Sequence, residues 1–175
     1  NNKKMEIYNS FQTSVKKALD EIDINWPKYK GLIICGTHSP KDWRKQIDKI
    51  KEIREARLPF LGICFGHQLA AIEYARNVLG IKTATSEELA KEGEFIVKKR
   101  PNLKVGLYPT IPTRLDSPRE SYWNNYEVID GFDDLWNKSE NFITCQFHPE
   151  YQSSKDKPHP LLKQFLEYAK KESLS

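Results

Sequence analysis

The apolar run Pro59-Phe60-Leu61-Gly62-Ile63 stops at Cys64 and passes through Phe65-Gly66 into a stretch with helical spacing. No other segment limits the fold so tightly. A strand that becomes a helix within one residue puts that residue on a sharp, crowded bend, and small neighbours are needed beside it. Gly62 and Gly66 give Cys64 that room. Much further along, Phe142 to Phe147 forms another apolar run and leads into His148-Pro149-Glu150. A cysteine on an elbow, with a histidine and an acid delivered from the end of a second strand, makes a nucleophile, base and orienting acid, an arrangement defined by role rather than by chain order.

The rest of the chain supplies a scaffold for such a site. Phe11, Val15, Ala18, Leu19 and Ile22 predict a first helix, and Ile22 to Trp26 a short strand. Gly31 to Gly36 reads as a central strand opening into the loop Gly36-Thr37-His38-Ser39, with Ser39 as N-cap and Pro40 as first residue of a helix that runs to Ala56. Leu69, Ile72, Ala75 and Leu79 form an inward stripe after the elbow, and Gly80 marks its stop. Phe95 to Val97 and Val105 to Tyr108 read as strands, Pro109, Pro112 and Pro118 as irregular connections, and Leu161 to Ala169 as a closing amphipathic helix. Only Met5-Glu6-Ile7-Tyr8 is available as an opening strand before the first helix: either residues are lacking there, or that edge of the sheet is reduced. Alternating strands and helices predict an α/β fold, an open and mostly parallel sheet flanked by helices, in a single domain spanning residues 1–175.

Composition narrows the function. The formal charge of +4 arises from Lys and Arg scattered among Asp and Glu, as in Lys41-Asp42-Trp43-Arg44-Lys45. That describes solvated helix faces and not a stripe for nucleic acid. No run approaches the ~20 apolar residues of a membrane span. The amino-terminal residues lack a signal peptide's apolar core, and three cysteines without framework spacing suit a reducing cytoplasm. Cys35 and Cys145 lie inside apolar runs as packing residues. His67 suits packing, His38 and His159 read as loop residues, and no grouping has metal-ligand spacing, so neither metal nor cofactor is expected.

At the start of a helix, unpaired N–H groups and the macrodipole favour an anion, and a thiolate is the form that attacks. The Phe65 N–H would face the oxyanion of a tetrahedral intermediate, with a second donor from the Gly36-Thr37 loop. Such donors are worth ~3–4 kcal/mol each. His148 would move the proton and Glu150 would orient it.

Leu61 to Gln68, Glu73 to Leu79, Ala84 to Glu88, Cys145 to Tyr151 and His159-Pro160-Leu161 together resemble the class I glutamine amidotransferases, and within them the glutaminase domain of CTP synthases. The resemblance covers about Gly31 to Ala169 and implies a flavodoxin-like three-layer fold. It also implies a glutamyl thioester on Cys64, release of ammonia, and contact of Gln68 and Glu88 with bound glutamine. Gly36 and Asn125 fall at further positions expected to meet substrate, and Thr37 and Phe65 at the oxyanion hole. Two positions depart from the family. Its oxyanion loop commonly has paired glycines where this chain has Gly36-Thr37, and an arginine that contacts glutamine there is replaced within Tyr122-Trp123-Asn124-Asn125.

The 175 residues contain no phosphate loop of the form G-x-x-x-x-G-K-[ST], so CTP synthesis on this chain is not expected. A stand-alone hydrolase of glutamine or a related γ-glutamyl amide is the leading expectation, with a separate synthase subunit as ammonia acceptor. The alternatives are a hydrolase of a different conjugate and a non-catalytic regulatory domain with altered glutamine binding.

Overall fold

A computed structural model describes residues 4–108, 119–137 and 141–174. The expected irregular connections at Pro109, Pro112 and Pro118 lie outside these residues, as does the extreme amino terminus. Four strands form the main sheet: β1 (Glu6–Tyr8), β2 (Leu32–Ile34), β3 (Phe60–Ile63) and β7 (Phe142–Cys145). They are parallel and ordered β1-β2-β3-β7. Parallel strands are covered on both faces and therefore read as unbroken apolar runs, which explains why Leu32-Ile33-Ile34 and Phe60-Leu61-Gly62-Ile63 show no alternation.

The pleat sends successive side chains to opposite faces. Leu32, Ile34, Phe60 and Phe142 pack against α2 (Trp43–Ala56) and α3 (Phe65–Asn77). Ile33, Cys35, Leu61, Ile63, Ile143 and Cys145 pack against α1 (Gln12–Ile22) and α5 (Pro160–Ser173). The result is three layers, helices on either side of a parallel sheet. Each fully buried aliphatic or aromatic side chain contributes about 1.5–3 kcal/mol, and Phe60 stacks on Phe142 with ring centres 4.6 Å apart. α1 joins β1 to β2 and α2 joins β2 to β3, in the same direction across the sheet, yet they lie on opposite faces. The two crossovers therefore have opposite hands, although such connections are nearly always right-handed.

A second sheet sits beside the first. β4 (Ala84–Ser86) runs parallel to β5 (Glu94–Tyr108), and β5 pairs antiparallel with β6 (Glu120–Val128). The two segments expected as separate strands, Phe95 to Val97 and Val105 to Tyr108, belong to the single strand β5, whose pairing with β6 shifts register between Lys99 and Lys104. A short helix, α4 (Asp133–Asn137), precedes β7.

Four other expectations are corrected. Ile22 to Trp26 is not a strand: Asp23 N–H closes α1 on the Leu19 carbonyl, and a 3-10 turn follows at Trp26–Lys28. Ser39 and Pro40 do not open α2, which starts at Trp43 after Asp42 in the left-handed region, φ +52°. Leu79 is 48% exposed, because α3 ends at Asn77 and the chain turns outward before Gly80. The last strand ends at Cys145, two residues short of Phe147.

Candidate active site

β2, β3 and β7 all end at one edge, and the candidate residues follow those ends. Cys64 comes directly after β3 with φ +55° and ψ −101°, a region that costs a non-glycine residue ~1–3 kcal/mol and survives only where the surroundings impose it. Here they do. Cys64 N–H donates to the Cys145 carbonyl at 2.8 Å, and the Cys64 carbonyl accepts from Gln68 N–H at 3.2 Å. A β-carbon on Gly66 would lie 2.1 Å from the Ile34 carbonyl oxygen, and one on Gly62 would lie 2.9 Å from the Gly66 carbonyl. Both glycines are thus required by the close seating of α3 on the sheet.

His148 arrives from β7, its N–H donating to the Ser121 carbonyl of β6 at 2.6 Å. Pro149 opens a 3-10 turn, Pro149–Gln152, that returns Glu150 to the ring. His148 Nδ1–H donates to Glu150 Oε2 at 3.0 Å, and neither side chain is exposed. A β-carbon on Gly36 would lie 2.9 Å from His148 Cε1 and 3.4 Å from Cys64 Cβ, so imidazole and cysteine converge on one point. His148 Nε2 has no hydrogen-bond partner among the described residues. Burial pushes the imidazole pKa down, but the neighbouring Cys64 sulfur and Glu150 carboxylate outweigh burial and raise it to about 10. Both neighbours favour the protonated ring. Burial, reinforced by Glu150, pushes the Cys35 and Cys145 thiols well above the ordinary range, which leaves both as packing groups.

Cys64 opens onto a cavity of about 370 Å³ that is also lined by Thr37, Phe65, Gln68, Glu88, Asn125 and Tyr126. A cavity of about 430 Å³ at the other end of the strands, against Glu6, Gly31 and Leu32, contains neither cysteine nor histidine. Gly36 is buried behind Thr37 and does not itself line the site. Its carbonyl accepts from Phe11 N–H at 3.2 Å. In a trans peptide the N–H points opposite to the carbonyl, which turns the Thr37 N–H away from α1. No described residue accepts the Thr37 or Phe65 N–H. Thr37 Oγ1 accepts from Ser10 Oγ and Ser39 N–H, each at 3.0 Å, and this fixes the loop. Glu88 is half-buried, and burial pushes its carboxyl pKa up.

Sequence reasoning missed three supports. Gln146 Nε2–H donates to Cys64 Sγ at 3.5 Å, while Gln146 Oε1 accepts from Gln68 Nε2–H at 3.3 Å. No spacing signal marks Gln146, because β7 ends at Cys145 and residues 146 and 147 form a bend. The Phe11 ring packs edge-on to His148, with centroids 5.7 Å apart. His159, expected in a loop, is a buried N-cap of α5: its Nδ1 accepts from Leu161 N–H at 3.1 Å, and its Nε2–H donates to buried Glu120 at 3.0 Å. That pair ties β6 to α5. His67 is a packing residue as expected, bonded to Thr144 Oγ1 at 3.1 Å and stacked on Trp136, and burial pushes its pKa down to about 3. His38 is an exposed loop residue. No group of three potential metal ligands occurs among the described residues. No helix among them is long and apolar enough to cross a membrane.

Comparison with known proteins agrees with this fold. The chain is 30% identical to a CTP synthase of Bdellovibrio bacteriovorus over 184 residues, covering 79% of the chain and 34% of that protein. It is 32% identical to the CTP synthase of Borreliella burgdorferi over 191 residues, covering 82% and 36%. The chain thus spans about a third of the length of these curated relatives. Among solved structures, the Trypanosoma brucei CTPS glutaminase domain with bound acivicin superposes with a TM-score of 0.80 at 19% identity, covering 95% of this chain and 93% of that one, which establishes a shared fold. Residues 5–168 match the sequence model of the class-I glutamine amidotransferases, and with that match over nearly its whole length the chain belongs to this family.

Proposed function

We propose that the chain is a cysteine-dependent amidohydrolase that cleaves the γ-carboxamide of glutamine or a closely related amide in a reducing, cytoplasmic setting. The observation that carries this reading is the convergence of Cys64, strained at the start of α3, with a buried His148 that is paired to Glu150 and has a free Nε2.

In the first half-reaction the Cys64 thiolate attacks the amide carbon, and a C–S bond forms as the carbonyl electron pair moves onto oxygen. The N–H groups of Phe65 and Thr37 hold that oxyanion. When the pair returns, the C–N bond breaks and His148 gives its proton to the departing nitrogen, which leaves as ammonia. His148 then takes a proton from water, the resulting hydroxide attacks the thioester, and the C–S bond breaks to give a γ-carboxylate and free Cys64. Glu150 keeps the ring oriented in both halves. Gln68 and Glu88 contact the substrate from the cavity wall. The ammonia passes to a synthase site or is lost to solvent.

The test is ammonia release from glutamine and glutamine amides. Turnover is expected from the unmodified protein, none from Cys64→Ala, and a loss on the order of 10³-fold in His148→Asn. Ammonia release from Cys64→Ala at the unmodified rate, or none from any of the amides with Cys64 intact, would contradict the reading.

A further inference from the structure

We infer that the Cys64 cavity selects a γ-carboxamide whose α-carbon carries a free amino group and a carboxyl group already converted to an amide, as in a glutamine at the amino end of a peptide, in preference to free glutamine. The inference rests on the hydrolase reading above and adds the chemistry of the substrate's far end.

Charge is the first argument. Glu88 is the one ionisable carboxylate on the cavity wall, and no lysine or arginine lines it among the described residues. On the β5–β6 arm, Arg100 Nη1–H pairs with Glu127 and the Lys104 ammonium lies 4.0 Å from the centre of the Tyr122 ring, and neither side chain lines the cavity. A half-buried carboxylate suits a substrate ammonium. A second carboxylate entering beside it would lose its hydration with no lysine or arginine on the wall to pair with, which is costly and repulsive.

The second argument is the neutral polar wall. Asn124 is 5% exposed, and its Nδ2 donates to the Tyr126 carbonyl at 2.8 Å, yet its Oδ1 has no donor among the described residues. Asn125 lines the rim with an exposed amide. Amide groups of this kind pair with an amide's N–H and carbonyl, whereas an unmet acceptor oxygen repels a carboxylate. Gln68 adds no cation, and its Nε2 is already committed to Gln146 and to the Tyr126 carbonyl, each at 3.3 Å. The outer lip is aromatic and open: Trp123 is 49% exposed and lies 6.1 Å from the His38 ring, where a continuing peptide would leave the cavity.

Binding to the Cys64→Ala protein separates this claim from catalysis. Titration calorimetry with L-glutamine α-N-methylamide and with L-glutamine should show the amide bound about tenfold or more tightly, the factor that one uncompensated charge gives. Adding Asn125→Arg, a change at an exposed rim position, should reverse the order by making free glutamine the tighter ligand. Equal or tighter binding of glutamine before that change, binding of neither compound, or an unchanged order after it would overturn the inference. Ammonia release by the unmodified protein reports on the hydrolase reading alone: selective amide binding with no turnover would remove that reading and leave the selectivity standing.

Discussion

His148 is the residue through which geometry, charge and stability meet. Its imidazole is buried, which works against the charged form, but the Cys64 sulfur and the Glu150 carboxylate raise its pKa from 6.5 to about 10. The folded protein therefore holds one more proton on this residue than the unfolded chain across that interval. The corresponding stabilisation is complete below about pH 6.5 and is lost as the pH rises through about 10, with a slope of up to about 1.4 kcal/mol per pH unit. Urea unfolding between pH 7 and 10 should show this decline, and Glu150→Gln should flatten it because one of the two opposing charges is gone. Identical slopes in the two proteins would mean that His148 is not held as the charged partner of Glu150. The same residue shows how sequence and structure divide the information. The His148-Pro149-Glu150 run was legible because a proline after the histidine forces a turn that folds the acid back. The Gln146 contact to sulfur was not assigned, because a side-chain amide gives no spacing signal of its own.

At the scale of elements, the seating of α2 against α3 rests on a buried ion pair as well as on apolar contact. Arg54 Nε and Nη2 donate to Glu73 Oε1 and Oε2 at 2.6 and 2.8 Å, and Asn77 Nδ2 adds a third bond to Glu73 at 2.9 Å. The Glu73 side chain is fully buried, while Arg54 keeps 22% exposure. Removing the guanidinium strands a carboxylate in the interior, so Arg54→Ala should cost about 3–5 kcal/mol in chemical denaturation. Glu73→Gln, which removes the buried charge and keeps the shape, should cost clearly less. Equal losses would indicate that packing alone holds the two helices. The helices were legible in outline because their apolar spacing was strong, and their ends were less so. Ser39-Pro40 has the composition of a helix start, but Thr37 Oγ1 takes the Ser39 N–H into a local turn, and α2 begins only after Asp42. Local side-chain bonding overrode the capping signal. The one long strand β5 was read as two because a register shift and exposed charges interrupt its pattern between Lys99 and Lys104.

Across the whole molecule, the sequence specified layers more readily than connections. Unbroken apolar runs identified the buried parallel strands, and Met5 to Tyr8 marked the opening strand β1, three residues long like β2. The opposite hands of the first two crossovers could not be read from any residue, because handedness depends on which face α1 covers, and that is decided by packing with α5 far along the chain. The arrangement has one functional consequence. With helices on both faces, only the strand ends are free to present chemistry, and β2, β3 and β7 deliver Thr37, Cys64 and His148 to the same edge. The central claim, a nucleophilic Cys64 served by His148, is tested most directly by mass spectrometry after treatment with a diazo-ketone analogue of glutamine, offered as the free amino acid and as its α-amide. A single covalent adduct on Cys64, absent from Cys35, Cys145 and the Cys64→Ala protein and strongly slowed in His148→Asn, is the predicted result. Failure of both probes to label Cys64, or labelling that persists undiminished in Cys64→Ala, would contradict it.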